Sequence, residues 1–129
     1  MLTIALPWPP KELSPNARKH WRGLAKAKKA YRDACRVETL LQCRPGYLRL
    51  PERIHLTMDF VPPDRRKRDR DNLVATMKAG LDGVADALGI NDERFAVLTV
   101  RIVHDDRVGV HLRMEAAPAT DLDGVPVKA

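Results

Sequence analysis

Arg53-Ile54-His55-Leu56-Thr57-Met58-Asp59-Phe60-Val61, followed by Pro62-Pro63 and by Asp64-Arg65-Arg66-Lys67-Arg68-Asp69-Arg70-Asp71-Asn72, is the stretch on which the fold turns. Ile54, Leu56, Met58 and Phe60 alternate with His55, Thr57 and Asp59, which predicts a strand with one buried face. Two prolines end it. Asp59, near the strand's end, reads either as an exposed polar position or as a carboxylate delivered toward the charged loop. Beyond Asn72 the period changes. Leu73, Met77, Leu81, Val84 and Leu88 recur at helical spacing on one apolar face. Asp71, Lys78 and Asp82 are expected together on the opposite face.

Between strand and helix, the cations Arg65, Arg66, Lys67, Arg68 and Arg70 crowd against Asp69 and Asp71. A purely polyanion-binding loop gains nothing from carboxylates inside its basic run. They make sense if a divalent metal stands between protein and phosphate. The competing reading is a solvated basic loop whose aspartates cap the next helix, since Asp is a preferred N-cap residue. A carboxylate at that N-terminus is kept ionised by the helix dipole.

Toward the N-terminus, Leu2, Ile4 and Leu6 predict a short strand closed by Pro7-Trp8-Pro9-Pro10. Leu13-Ser14-Pro15-Asn16 reads as a loop leading into a helix over about 18–41. Leu24, Ala27, Tyr31, Ala34 and Cys35 form that helix's apolar arc. Arg22, Lys26, Lys29, Arg32 and Arg36 form the other, with Asp33 as its one acid. Most surface helices show a charged outer face, but this bias of sign makes it a candidate rail for a phosphate backbone. His20 and Trp21 could stack on a base, although the core is the commoner place for Trp21.

Arg44-Pro45-Gly46 reads as a turn. Toward the C-terminus, Gly89-Ile90-Asn91-Asp92-Glu93 reads as a glycine stop and an acidic turn. Residues 97–103 and the alternating Val108, Val110, Leu112 and Met114 flank His104-Asp105-Asp106-Arg107, which predicts an antiparallel hairpin. Residues 116–129 lack periodicity and are expected to fray. The order β-α-β-α-β-β predicts an α+β fold: one small domain over 1–115, with two main helices packed on a mixed sheet.

At 129 residues the chain has room for one core. Its net charge is +6 and its pI about 9.7. Residues 1–70 hold 17 Lys/Arg and 7 Asp/Glu, whereas residues 71–129 hold 6 and 10. A basic front half suits a defined polyanion face better than general stickiness. Cys35 and Cys43 have no Cys or His neighbours at zinc spacing and read as thiols of a reduced compartment. The opening Met1-Leu2-Thr3-Ile4-Ala5-Leu6-Pro7 does not fit a signal peptide, and no apolar run approaches membrane length. A cytoplasmic protein is expected.

Asp69-Arg70-Asp71-Asn72-Leu73, preceded by Pro63-Asp64-Arg65-Arg66 and followed by Asn91-Asp92, resembles the RusA-type Holliday junction resolvases of bacteria and their phages. Leu6-Pro7-Trp8-Pro9-Pro10 and the stretch from Ser14-Pro15-Asn16-Ala17-Arg18 to His20-Trp21 are similar to the N-terminal part of that family, and the likeness runs over about residues 4–115. It implies a homodimeric, Mg2+-dependent endodeoxyribonuclease, with Mn2+ as a substitute, that cuts four-way DNA junctions symmetrically in recombination and repair. It also implies a bacterial setting, phage or prophage included, and neither membrane nor organic cofactor. By this resemblance Asp69, Asp71 and Asp92 are catalytic and hold the metal. Arg65, Arg66, Lys67, Arg68 and Arg70, with Arg22, Lys26 and Lys29 on the first helix, would hold DNA. The best-known branch carries a catalytic lysine four residues after the second aspartate. This chain has Ala75 there, and Lys78, seven residues after, is the substitute. A non-catalytic basic DNA-binding protein and a nuclease for other branched DNA are the rival readings.

Overall fold

The structure is a computed structural model, and it describes residues 1–15, 21–44 and 49–118, without the side chains of Trp21 and Arg22. The strands are β1 (Leu2–Leu6), β2 (Ile54–Val61), β3 (Phe95–Ile102) and β4 (Gly109–Ala116). The helices are α1 (Trp21–Gln42), α2 (Arg70–Thr76) and α3 (Lys78–Leu88). Short 3-10 turns lie at Lys11–Leu13 and Asp92–Arg94. The expected lead-in over 16–20, with His20, lies outside the described residues. So do the centre of the expected turn at Arg44-Pro45-Gly46 and the tail beyond residue 118.

One mixed sheet runs in the order β1-β4-β2-β3. β4 is antiparallel to both β1 and β2, and β2 and β3 are parallel, joined through α2 and α3. The expected α+β class holds. The expected hairpin does not: β3 and β4 are not neighbours, because the chain after β3 passes the end of β2 and enters the sheet beyond it. Burial follows this order. Val110, Leu112 and Met114 are at most 2% exposed, as a central strand requires, whereas Leu98 of β3 is 44% exposed.

The side chains obey the period of two. Ile4 and Leu6, Ile54 through Phe60 at alternate positions, and Val110, Leu112 and Met114 pack under the helices with Tyr31, Cys35, Leu73, Met77 and Val84. The register places His55, Thr57, Asp59, Thr99, Arg101, His111 and Arg113 on the other face. There Asp59 is neither free nor turned to the charged loop. Its carboxylate accepts two hydrogen bonds from the Arg101 guanidinium, both at 2.6 Å, which hold it below the usual carboxylate range.

α1 and α3 approach closely because α3 carries glycines where they cross. A Cβ on Gly80 would lie 2.7 Å from Tyr31 Cε2, and one on Gly83 would collide with the Arg32 carbonyl oxygen. The Tyr31 hydroxyl donates to the Pro7 carbonyl at 2.7 Å, tying α1 to the proline-rich exit of β1. Burial pushes the Cys35 thiol up to about 11 and raises that of Cys43. Ala34, expected on the apolar arc, is exposed.

The second expected helix is broken in two. Met77 (φ −82°, ψ −5°) ends α2, its N–H shared between the carbonyls of Leu73 and Val74. The expected glycine stop is present at Gly89, φ +67°, with Ile90 N–H donating to the Ala85 carbonyl at 3.1 Å.

Candidate functional site: a basic loop and two linked clefts

The loop between β2 and α2 is held by two of its own charges. Asp64 accepts from the Arg66 backbone N–H at 2.9 Å and pairs with the Arg68 guanidinium at 2.9 Å. Arg68 also donates to the carbonyls of Asp64 (3.3 Å) and Arg66 (3.1 Å). Its guanidinium carbon lies 5.3 Å from the centroid of the Trp8 ring, a cation–π distance. Trp8 in turn meets Phe60 edge-on at 6.1 Å. The Arg68 side chain is only 14% exposed. Among the cations expected on DNA, Arg68 is therefore already engaged by the protein itself, and Asp64 is pulled down to about 2 by that hydrogen bond.

With Arg68 turned inward, its neighbours turn outward. Arg65, Lys67 and Arg70 are exposed and have no ion-pair partner among the described residues. Arg66 reaches Asp64 at 3.3 Å but stays 81% exposed.

Asp69 is the N-cap of α2: its Oδ1 accepts from the Asp71 backbone N–H at 3.0 Å. The capping reading is therefore correct, and it leaves Oδ2 without a hydrogen bond among the described residues. Asp71 stands exposed in the first turn. Asp69 lines a cleft of about 370 Å3 with Trp8, Pro10, Lys11, Arg66, Lys67 and Asn72. A second cleft of about 370 Å3 opens between α1 and α3, lined by Lys28, Lys29, Arg32, Ala75, Lys78 and Asp82. Thr76 lines both clefts, so they adjoin.

Not every expected residue comes together. Lys78 opens on the second cleft and Asp69 on the first, while Asp71 lines neither. Asp71 lies in α2 and Lys78 in α3, on either side of Met77. Asp92 begins the 3-10 turn beyond α3. Residues 70–88 of α2 and α3 separate it from Asp69, a length of about 28 Å at 1.5 Å per helical residue. The expected trio of carboxylates is therefore not one ligand set within the chain. Among the described residues no group of three or more His, Cys, Asp or Glu side chains is gathered to hold a metal ion.

On α1, Lys26, Lys28 and Lys29 are exposed, and Lys29 reaches Asp33 at 3.7 Å. Arg32 is spent on Asp86 of α3 at 2.7 Å, which shortens the expected rail. Lys11 and Lys28 were missed by the pattern reading. The run Pro9-Pro10-Lys11 carries no periodic signal, and Lys28 is one lysine among three on α1.

No family model matches the chain. It is similar to an uncharacterized protein of Xylella fastidiosa, 46% identical over 99 residues. That match covers 74% of this chain and 63% of the relative, so the chain spans less than two thirds of that protein's length. Among the described residues no helix is long and apolar enough to cross a membrane.

Proposed function

We propose that the chain is a divalent-metal-dependent endodeoxyribonuclease of the RusA resolvase type, acting as a homodimer on four-way DNA junctions in a bacterial cytoplasm. The observation that carries the reading is the pairing of Asp69 and Asp71 at the start of α2, at the foot of a loop that turns Arg65, Arg66 and Lys67 outward. Two carboxylates beside a phosphate-binding surface suit Mg2+, which favours one or two protein carboxylates plus substrate oxygens and keeps its waters. When bound, such an ion makes a coordinated water more acidic and neutralises charge on the phosphate.

The chain's own part is to place a strand. Arg65, Lys67, Arg70 and Lys11 would grip backbone phosphates, contacts that position DNA without reading its sequence. Lys78, with Lys28 and Lys29 across the second cleft, would draw the strand on toward α1 and balance charge developing on the phosphate. That Ala75 and Lys78 border the same cleft supports Lys78 as the substitute for the lysine missing at Ala75. Asp92 keeps its role by resemblance alone.

The test is Asp71→Asn, with Asp69→Asn beside it, on a synthetic four-way junction in magnesium. Cleavage should be lost while junction binding is kept, because the cations remain. Cleavage at the parent's rate would sink the metal assignment. The capping bond of Asp69 favours one rival, a non-catalytic DNA-binding protein. Under that rival the parent protein itself would bind junctions and leave them uncut.

A further inference from the structure

The second cleft holds a contrast of charge that a grip on phosphates leaves unused. Its cations stand on both walls, Lys28 and Lys29 on α1 and Lys78 on α3. Among them is one half-buried carboxylate, Asp82, which makes no hydrogen bond or ion pair among the described residues. Arg32 also lines the cleft but is taken by Asp86 at 2.7 Å. Lys78 and Asp82 are four residues apart on α3, a rise of about 6 Å, yet they are not joined as an ion pair. A surface that only gathers phosphates is weakened by such a carboxylate, which repels the anions the lysines attract.

Between the charges the lining is apolar. Leu13, 8% exposed, and the small side chains of Ala75 and Ala79 contribute to it. Thr76 has its hydroxyl spent on the Asn72 carbonyl at 2.7 Å. Small residues on the α2–α3 wall leave room for a flat ring to lie against it. The volume of about 370 Å3 is at the small end for ligand sites. It admits one small molecule and no duplex.

We propose that the second cleft binds a single nucleoside 5′-phosphate ending in a free sugar hydroxyl, its phosphate on the lysines and its hydroxyl donating to Asp82. The base then lies against Leu13, Ala75 and Ala79. A sugar spans a phosphate and a hydrogen-bond donor one helical turn apart, whereas the edge of the base reaches further. A continuing strand is disfavoured, because its next phosphate would replace the hydroxyl and meet Asp82. The same chemistry has two sources, a free nucleotide and the 3′ end of a strand. Because the clefts adjoin at Thr76, a strand lying along the first can end in the second. The site shares its lysines with the nuclease reading and needs neither cleavage nor a metal ion.

The experiment is a titration in EDTA, followed through the amide signals of Ala75, Ala79 and Asp82. Its probes are 2′-deoxyadenosine 5′-monophosphate, the 2′,3′-dideoxy analogue and inorganic phosphate. The parent should bind the deoxynucleotide about ten-fold more tightly than the dideoxy analogue, as a hydrogen bond to a charged group implies. Inorganic phosphate should bind more weakly than the deoxynucleotide. Asp82→Ala should bind both nucleotides alike, with an unchanged circular dichroism spectrum. A short single strand ending in a 3′-hydroxyl should displace the nucleotide, and the same strand ending in a 3′-phosphate should not. Displacement by neither assigns the site to free nucleotides. Equal binding of the deoxy and dideoxy compounds by the parent would overturn the proposal, and that comparison needs no variant. So would a preference that survives in Asp82→Ala, or equal displacement by both strands. Inorganic phosphate binding as tightly as the nucleotide would leave only a cationic groove. A protein that cuts junctions but fails this titration keeps the nuclease reading and loses this site; one that passes it and cuts nothing does the reverse.

Discussion

Asp64 and Arg68 show how a basic run can hold its own shape. The guanidinium that composition assigns to DNA lies over Trp8 and caps two carbonyls of the loop. Asp64→Asn should therefore loosen the loop without removing a phosphate contact. The direction with pH follows from the depressed carboxyl: folded near 2, against about 3.9 for an unperturbed Asp. Its tether is fully present above about pH 4 and fades as pH falls toward 2. The protection factor of the Arg66 amide, the slowing of its exchange relative to an unstructured peptide at the same pH, should fall across that window; a constant protection factor would mean the bond does not hold the loop. For Lys78→Ala the expected result is cleavage slowed by about 100-fold, the order seen when a group that stabilises transition-state charge is removed. An unchanged rate would return Lys78 to the solvated face. Nothing in the one-dimensional pattern marks which arginine turns inward, because that choice depends on the Trp8 ring, which the fold brings up from the other side of α1.

The elements were legible in proportion to how regular they are. Alternation located β1, β2 and β4, and the apolar arc located α1, since a period depends on the burial of one face alone. Pairing is a different matter. Period two shows that Val110, Leu112 and Met114 are buried together and does not show which strand lies beside them, so the hairpin was the wrong topology for the right strands. The break at Met77 was also hidden, because one residue with ψ near zero leaves the apolar spacing of Leu73, Met77 and Leu81 intact. Two glycine substitutions separate packing from propensity at this scale. Gly83→Ala drives a methyl into the Arg32 carbonyl and should cost about 1–3 kcal/mol, the usual range for overpacking. Gly23→Ala meets nothing within 4 Å and should stabilise by up to about 1 kcal/mol, the helix propensity difference. Thermal melts of the pair decide it: if both variants melt together, the α1–α3 crossing is looser than its glycines imply.

At the scale of the whole molecule, the uneven charge of the sequence becomes a surface. Lys11, Arg65, Lys67 and Lys78 belong to the loop, the clefts and the helix face around Thr76, with Lys28 and Lys29 opposite on α1. Affinity for DNA should fall steeply with salt, since each neutralised phosphate releases counterion. Lys67→Ala should reduce that slope by about one unit, and a parent affinity indifferent to salt would remove the polyanion from the account. The carboxylates were legible as residues and only partly as a site, because sequence distance does not show that a helical rod keeps Asp92 from Asp69. Whether this surface cuts DNA is decided by incubating the parent protein with four-way, three-way and linear DNA, in magnesium and in EDTA. Paired, symmetric cuts in the four-way junction, dependent on magnesium, are expected, with little cleavage of linear duplex. Binding of every substrate without cleavage in magnesium would contradict the nuclease reading.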